Sequence, residues 1–378
     1  MAKQIYKASI ILTKDSVLND YYMVVEDGKI KDFLSETSEE YIDLSSSIIA
    51  PGLVDTHIHG YKDHDVMDAS PGALNEISKG ILEMGVTSFI PTTLTASKEQ
   101  LDKVCELIGQ EFETVEGAKV RGIFLEGPYF TTKYKGAQNE SYMKDPSIEE
   151  LKNWKDLSKG LVNKIAIAPE RDGVEDFVKE AKEIGVHVAL GHSDATYDQA
   201  MKAVNAGASI FVHVYNAMRG LHHREPGMVG AAFASDTFGE LIADGHHVHP
   251  VSAKILMDVK GRDKICLITD CMRAGGMPDG DYVLGELPVY VESGTARLKD
   301  GDNLAGSILD LKDGIKNVVS WDIATLKEAI EMASLIPAKS LGIDDVCGSL
   351  EIGRQADFIV LDEELNLQAT YIDGEKLY

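Results

Sequence analysis

The chain is poor in positive charge. It has 37 lysines and arginines against 62 aspartates and glutamates, a formal net charge of −25. A surface this acidic disfavours nucleic acid and anionic membranes as partners. Its plain consequence is solubility, and it also repels phosphorylated metabolites unless local cations override the far field. Cysteine is scarce: Cys105, Cys266, Cys271 and Cys347 show no CxxC spacing, so neither a zinc knuckle nor a disulfide framework is indicated. No GxGxxG follows the first strand candidate of the alternating middle region, which argues against a dinucleotide-binding sheet. The opening MAKQIYKASI lacks the apolar centre of a signal peptide, and no apolar run approaches bilayer-spanning length. Together these absences predict a cytoplasmic protein in a reducing compartment.

What remains is ample core material: 378 residues, 44% of them hydrophobic, enough for one large domain and a minor one. The first fifty residues carry short β-rich pieces (QIYKASIILT, YYMVVEDGKI, YIDLSSSIIA), with Asp27-Gly28 as a hairpin signal. The last thirty look alike (ADFIVLD, LQATYIDGEKLY), again with an Asp-Gly turn. Residues 1–50 and 350–378 are therefore expected to pair into one small β-sandwich domain.

The region 51–349 alternates. Strand candidates end near Asp55, Pro91, Glu126, Ala168, Gly191, His213, Asp244 and Asp270, with helical patterns between them. In GALNEISKGILEMG, Leu74, Ile77, Ile81 and Leu82 share a face behind Pro71. Three helices run into glycine and then a strand (MG-VTSFI, IG-VHVAL, AG-ASIFV), which suits a left-handed cap. Eight such units predict an α/β chain with a (β/α)8 TIM barrel; an open doubly wound sheet is the alternative. Residues 280–303 read as a β-hairpin insertion after the eighth strand.

Reactive groups of such barrels sit at the C-terminal ends of strands. There the chain presents His57 and His59 in PGLVDTHIHG, Glu126 in LEGPY, His192 in LGHSDA, His213 in FVHVYNAM and Asp270 in LITD. Two imidazoles two residues apart on a strand share one face. Taken alone, an HxH equally fits a pair of hydrogen-bonded surface histidines, and a lone His192 or His213 fits a satisfied core residue. Converging on one rim with a carboxylate, they form a constellation suited to a divalent metal. Asp270 reads either as a proton carrier beside that metal or as a helix N-cap. Arg224, taken alone, reads as a surface ion pair with Glu225. His222, His223, His246 and His249 have poor spacing for a closed tetrahedral site and suit loop roles. Cys271 suits packing.

The set HIH, LEGP, GHSDA, HVYNAM, HHREPG, ADGHHV and ITD resembles the amidohydrolase superfamily and, within it, the N-acetylglucosamine-6-phosphate deacetylase family, over nearly the whole chain. The fourth strand ends in IAPE without the carboxylated lysine of dihydroorotase-like relatives, and Glu126 on the third replaces it, a feature of the deacetylase branch. The resemblance implies Glu126, His192 and His213 as ligands of a shared metal, and His57 and His59 as ligands of a second one. It implies Asp270 as general base and then acid. It implies sugar-phosphate contacts from Asn216, Ala217 and Arg224, sugar contacts from Asp244 through His247, and a cavity lined by Ala137, Gln138, Leu304, Ala305 and Gly306. The cofactor would be zinc or iron, one or two ions with two favoured, in a homodimer.

The implied reaction cleaves an amide, a poor electrophile with a poor leaving group. A metal can lower the pKa of bound water from about 15.7 to about 7, and Asp270 would accept the proton and pass it to the leaving nitrogen. Products would be acetate and glucosamine 6-phosphate. N-acetylgalactosamine 6-phosphate is an alternative substrate, and a non-catalytic scaffold of the same fold an alternative role. At position 138 the family usually carries histidine, which helps polarise the amide carbonyl. Gln138 can donate a neutral hydrogen bond but cannot become cationic, so a second metal would take over that task.

Overall fold

The computed structural model describes residues 3–301 and 303–378; expectations for residues 1, 2 and 302 lie outside it. Strands from both ends of the chain build one seven-stranded sheet. Gln4–Leu12 pairs with Val17–Glu26 and with Ile42–Pro51, and Ile42–Pro51 pairs in turn with Phe358–Leu361. The Asp27-Gly28 and Asp373-Gly374 turns both adopt positive φ at each residue, as two-residue hairpin loops require.

The expected sandwich is one continuous, curled sheet. Lys29 bridges Gln355, and the concave face closes over Tyr6, Ile11, Met23, Ile49, Phe358 and Val360. Side chains of a strand alternate faces, so the neighbours Ile48, Ala50, Ile359 and Leu361 turn the other way and join the main core. The sheet is thereby cemented to the rest of the molecule through its outer face.

The middle of the chain supplies two arcs of parallel strands. One contains Leu53–Ile58, Val86–Pro91 and the short Lys119–Val120. The other runs Ile123–Glu126, Val162–Ile167, His187–Leu190, Ile210–Phe211, Phe238–Ile242 and Ile265–Ile268, each paired with the next. Isolated parallel bridges Thr92–Phe124 and Ile58–Cys271 connect the arcs at both ends. Leu53–Ile58, Val86–Pro91, Ile123–Glu126 and Ile265–Ile268 are buried throughout, as parallel strands covered on both faces must be. Alternation decides which groups turn inward. Ile123 and Leu125 pack with the helices in the main core, while Phe124 belongs to a separate cluster with Ala166, Ile210 and Val212. Glu126 shares its face with Phe124.

The helices follow the expected pattern with one difference. Ala73–Gly80 is α-helical, but Ile81–Met84 tightens into a 3-10 turn before Gly85 (φ 82°). The eighth strand is followed not by a hairpin but by a three-stranded meander, Gly280–Leu284, Leu287–Glu292 and Thr295–Leu298. Among the described residues no helix is long and apolar enough to cross a membrane.

Candidate metal centre

Six side chains meet at the C-terminal ends of the parallel strands in two groups: Glu126, His192 and His213, and His57, His59 and Asp270. All are buried. Glu126 is the hub. Its Oε1 lies 3.3 Å from His57 Nε2, 3.3 Å from His192 Nε2 and 3.2 Å from His213 Nε2. Its Oε2 lies 3.4 Å from His59 Nε2. Asp270 Oδ1 closes the second group at 3.4 Å from His57 Nε2 and 3.1 Å from His59 Nε2.

The far sides of three rings are anchored. His59 Nδ1 donates to the Thr92 carbonyl (3.2 Å), His192 Nδ1 to the Tyr134 carbonyl (3.1 Å), and His57 Nδ1 to Glu240 Oε2 (3.0 Å). Such second partners fix the tautomer and leave Nε2 as a lone-pair donor. Three imidazole lone pairs directed at one carboxylate repel it unless a cation lies among them. His57 Nε2 is buried without a hydrogen-bond partner, which is the state expected of a metal ligand. The donor set of imidazoles and carboxylates suits zinc or iron. The residues therefore fit a divalent ion.

The buried carboxylates and imidazoles also perturb one another strongly. Burial pushes His57 down, but the nearby Asp270 and Glu126 carboxylates and the hydrogen bond to Glu240 outweigh burial and raise it to about 10. Burial pushes Glu126 up, yet the His57 charge and the hydrogen bonds from His192 and His213 hold it well below the carboxylate range. Asp270 follows the same pattern: burial opposes, the His57 charge and the His59 hydrogen bond win, and its pKa falls to about 2. The cluster draws positive charge into itself.

Backbone strain gathers here as well. His192 (φ 45°), His213 (φ 26°), Ala217 (φ 49°) and Asp270 (φ 51°) all have positive φ, a conformation that side-chain-bearing residues adopt only when their surroundings enforce it. No helix starts at Asp270, so the N-cap reading does not apply. Gly136 passes so close that a Cβ there would sit 3.2 Å from His192 Cε1.

A cavity of about 350 Å³ opens over the cluster. It is lined by His59, Glu126, His192, His213 and Asp270, and also by Ala137, Gln138, Asn216, Ala217, His247, Leu304 and Gly306. Of the expected substrate contacts, Asp244, Gly245, His246, Ala305 and Arg224 do not line it. Asp244 instead accepts from His247, with Oδ2 2.6 Å from Nδ1, and from the His246 and His247 amides at 2.8 Å, so it orients His247. Ala305 is fully buried and its amide donates to Ala296. Arg224 lies on an exposed loop with Nη1 2.7 Å from His223 Nε2. His249 caps the Pro250–Lys260 helix. Cys271 is buried, which raises its thiol well above the usual range; it packs.

Sequence reasoning missed Lys164 and Glu240. Both are buried mid-strand. The Lys164 ammonium pairs with Glu240 Oε1, donates to the Thr56 carbonyl at 3.2 Å and lies 3.7 Å from the centre of the Phe124 ring. Burial pushes Glu240 up, but the Lys164 charge and the His57 hydrogen bond lower it. Nothing but their charge in otherwise apolar strands marked them. Also missed were Lys133, Tyr134 and Asn303, which line the cavity.

The profile of the amidohydrolase family matches residues 48–377. The chain is 41% identical to the N-acetylglucosamine-6-phosphate deacetylase of Vibrio furnissii, over 94% of this chain and 90% of that one. It is 39% identical to the N-acetylgalactosamine-6-phosphate deacetylase of Escherichia coli O157:H7, over 98% of each. Among solved structures it is similar to a mutant N-acetyl-D-glucosamine-6-phosphate deacetylase of Mycobacterium smegmatis in complex with N-acetyl-D-glucosamine-6-phosphate. That likeness has a TM-score of 0.95 at 30% identity and covers 100% of both chains.

Proposed function

The chain belongs to the amidohydrolase family, and from that premise we propose that it hydrolyses the N-acetyl group of N-acetylglucosamine 6-phosphate to glucosamine 6-phosphate and acetate. The observation that carries this is the buried hub at Glu126, with two histidine-bearing groups and Asp270 under one cavity. The two arcs, bridged at Thr92–Phe124 and Ile58–Cys271, support reading the catalytic part, residues 51–349, as a closed (β/α)8 barrel. Residues 1–50 and 350–378 make the second domain.

Glu126, His192 and His213 would hold one zinc or iron ion, and His57, His59 and Asp270 would complete a place for a second. A bound ion supplies Lewis acidity, making water a better nucleophile and the amide carbon a better electrophile. Asp270, ionised and beside both groups, takes a proton from the attacking water at a carboxylate oxygen and returns it to the departing nitrogen. His247, held by Asp244, faces the sugar together with Ala137, Leu304 and Gly306. Ala305 acts only through the backbone of that run. Asn216 and the Ala217 amide offer neutral donors to the phosphate.

Arg224 lies outside the cavity, and we assign it to the phosphate through closure of its loop or through a second copy. Exposed apolar side chains on the Pro250–Lys260 helix, Val251, Ile255 and Val259, support a homodimer. A sugar phosphate does not cross a bilayer unaided, so the proposal includes a cytoplasmic location. Acetate release measured on N-acetylglucosamine 6-phosphate, on its galacto epimer and on the free sugars tests the reading. No release from any of them would sink it. The galacto epimer stands as a second reading because of the relative that acts on it.

A further inference from the structure

Gln138 is nearly fully buried, and both ends of its amide are spoken for. Its Oε1 accepts from the Thr95 backbone amide at 2.7 Å, and its Nε2 donates to Glu126 Oε2 at 2.6 Å. The orientation of the amide follows from its partners. Thr95 N–H can only donate, so the oxygen must face it and the NH2 must face the carboxylate; the flipped amide would set donor against donor and acceptor against acceptor.

The consequence falls on Glu126. Three imidazole Nε2 atoms address its Oε1, whereas Oε2 is taken by the glutamine and lies 3.4 Å from His59 Nε2. A carboxylate can rotate about its last bond and offer either oxygen or both. A short charge-assisted hydrogen bond to one oxygen, from an amide itself pinned by the main chain, removes that freedom.

We propose that Gln138 is a positioning residue for Glu126: it holds Oε2 on the protein and leaves Oε1 as the oxygen presented to metal. This rests on the metal-dependent reading above and goes beyond it, because position 138 then acts on the ligand set and not primarily on the amide carbonyl of the substrate.

The test replaces Gln138 with methionine, of similar size but without donor or acceptor, and measures zinc affinity of the full-length apoprotein by competition with a chromogenic chelator. Loss of a partner behind a metal ligand weakens binding about 10–100-fold, and that loss is the expected result. Gln138→Ala carries the same expectation should the methionine variant not fold. Gln138→His, which keeps an N–H, is expected to recover part of the affinity. Turnover on N-acetylglucosamine 6-phosphate at saturating zinc is measured in parallel. Zinc affinity within about twofold of wild type in Gln138→Met, with kcat alone reduced, would overturn the proposal and assign Gln138 to the carbonyl. No recovery at all in Gln138→His would also count against it. A wild-type chain that takes up no zinc is a different failure, that of the metal reading itself.

Discussion

His57 Nδ1 lies 3.0 Å from Glu240 Oε2, so a carboxylate far away in the sequence determines which nitrogen of that imidazole faces the metal groups. Glu240 is in turn balanced by Lys164, whose ammonium is fully buried. The three residues form a charged column beneath the site, and each depends on the next.

Glu240→Leu is expected to destabilise the fold by about 3–5 kcal/mol, the usual cost of leaving a buried charge unpaired, because the Lys164 ammonium keeps the Thr56 carbonyl and the Phe124 ring face but no counter-charge. The double variant Glu240→Leu, Lys164→Met removes both charges and recovers most of that loss. Urea denaturation of the two proteins checks this. A single variant as stable as wild type would mean that Lys164 finds water or another partner.

The second histidine group is expected to set the metal stoichiometry. Replacing His57 and His59 with alanine removes two of the three donors of one group and leaves Glu126, His192 and His213 intact. Reconstituted wild type is expected to hold two ions and the double variant one, read by elemental analysis of desalted protein. Equal content in both would confine binding to the Glu126 group.

Asp270→Asn keeps the shape of the side chain and removes its capacity to accept a proton. Turnover is expected to fall about 10²–10⁴-fold, the range for loss of a general base, with KM little changed and the Glu126-group ion retained. Single-turnover acetate release measures it, and a variant with full turnover would assign the proton to another group.

Arg224→Ala is expected to raise KM for the phosphorylated sugar by about tenfold to a hundredfold, matching a charged hydrogen bond of about 1.5–3 kcal/mol. The unphosphorylated sugar should be unaffected. Steady-state kinetics on both sugars decide this, and equal effects on the two would remove Arg224 from phosphate binding.

Much of the site was legible in the chain. Glu126, His192, His213 and Asp270 each end an apolar strand-like run, and His57 and His59 sit two apart on another. Strand ends in an alternating β/α pattern gather at one rim, so position along the chain stood in for position in space. The hairpin turns at Asp27-Gly28 and Asp373-Gly374 were equally legible, since the conformation they need is local.

The rest depended on closure. Lys164 and Glu240 lie inside ordinary strands, and only the enclosed interior makes their pairing unavoidable, because a buried charge has no water to turn to. Asp244, Ala305 and Arg224 stand in the expected segments but do not line the cavity, since one residue of register or one exposed loop decides the direction of a side chain. The sequence by itself determined which elements form and which chemistry their ends carry, through periodicity and turn preference acting over a few residues. The tertiary structure alone decided that Glu126 becomes the hub, that Gln138 holds one of its oxygens, and that Glu240 sets the tautomer of His57. Each of these is a contact of about 3 Å between groups that chain folding, not chain neighbourhood, brings within hydrogen-bond range.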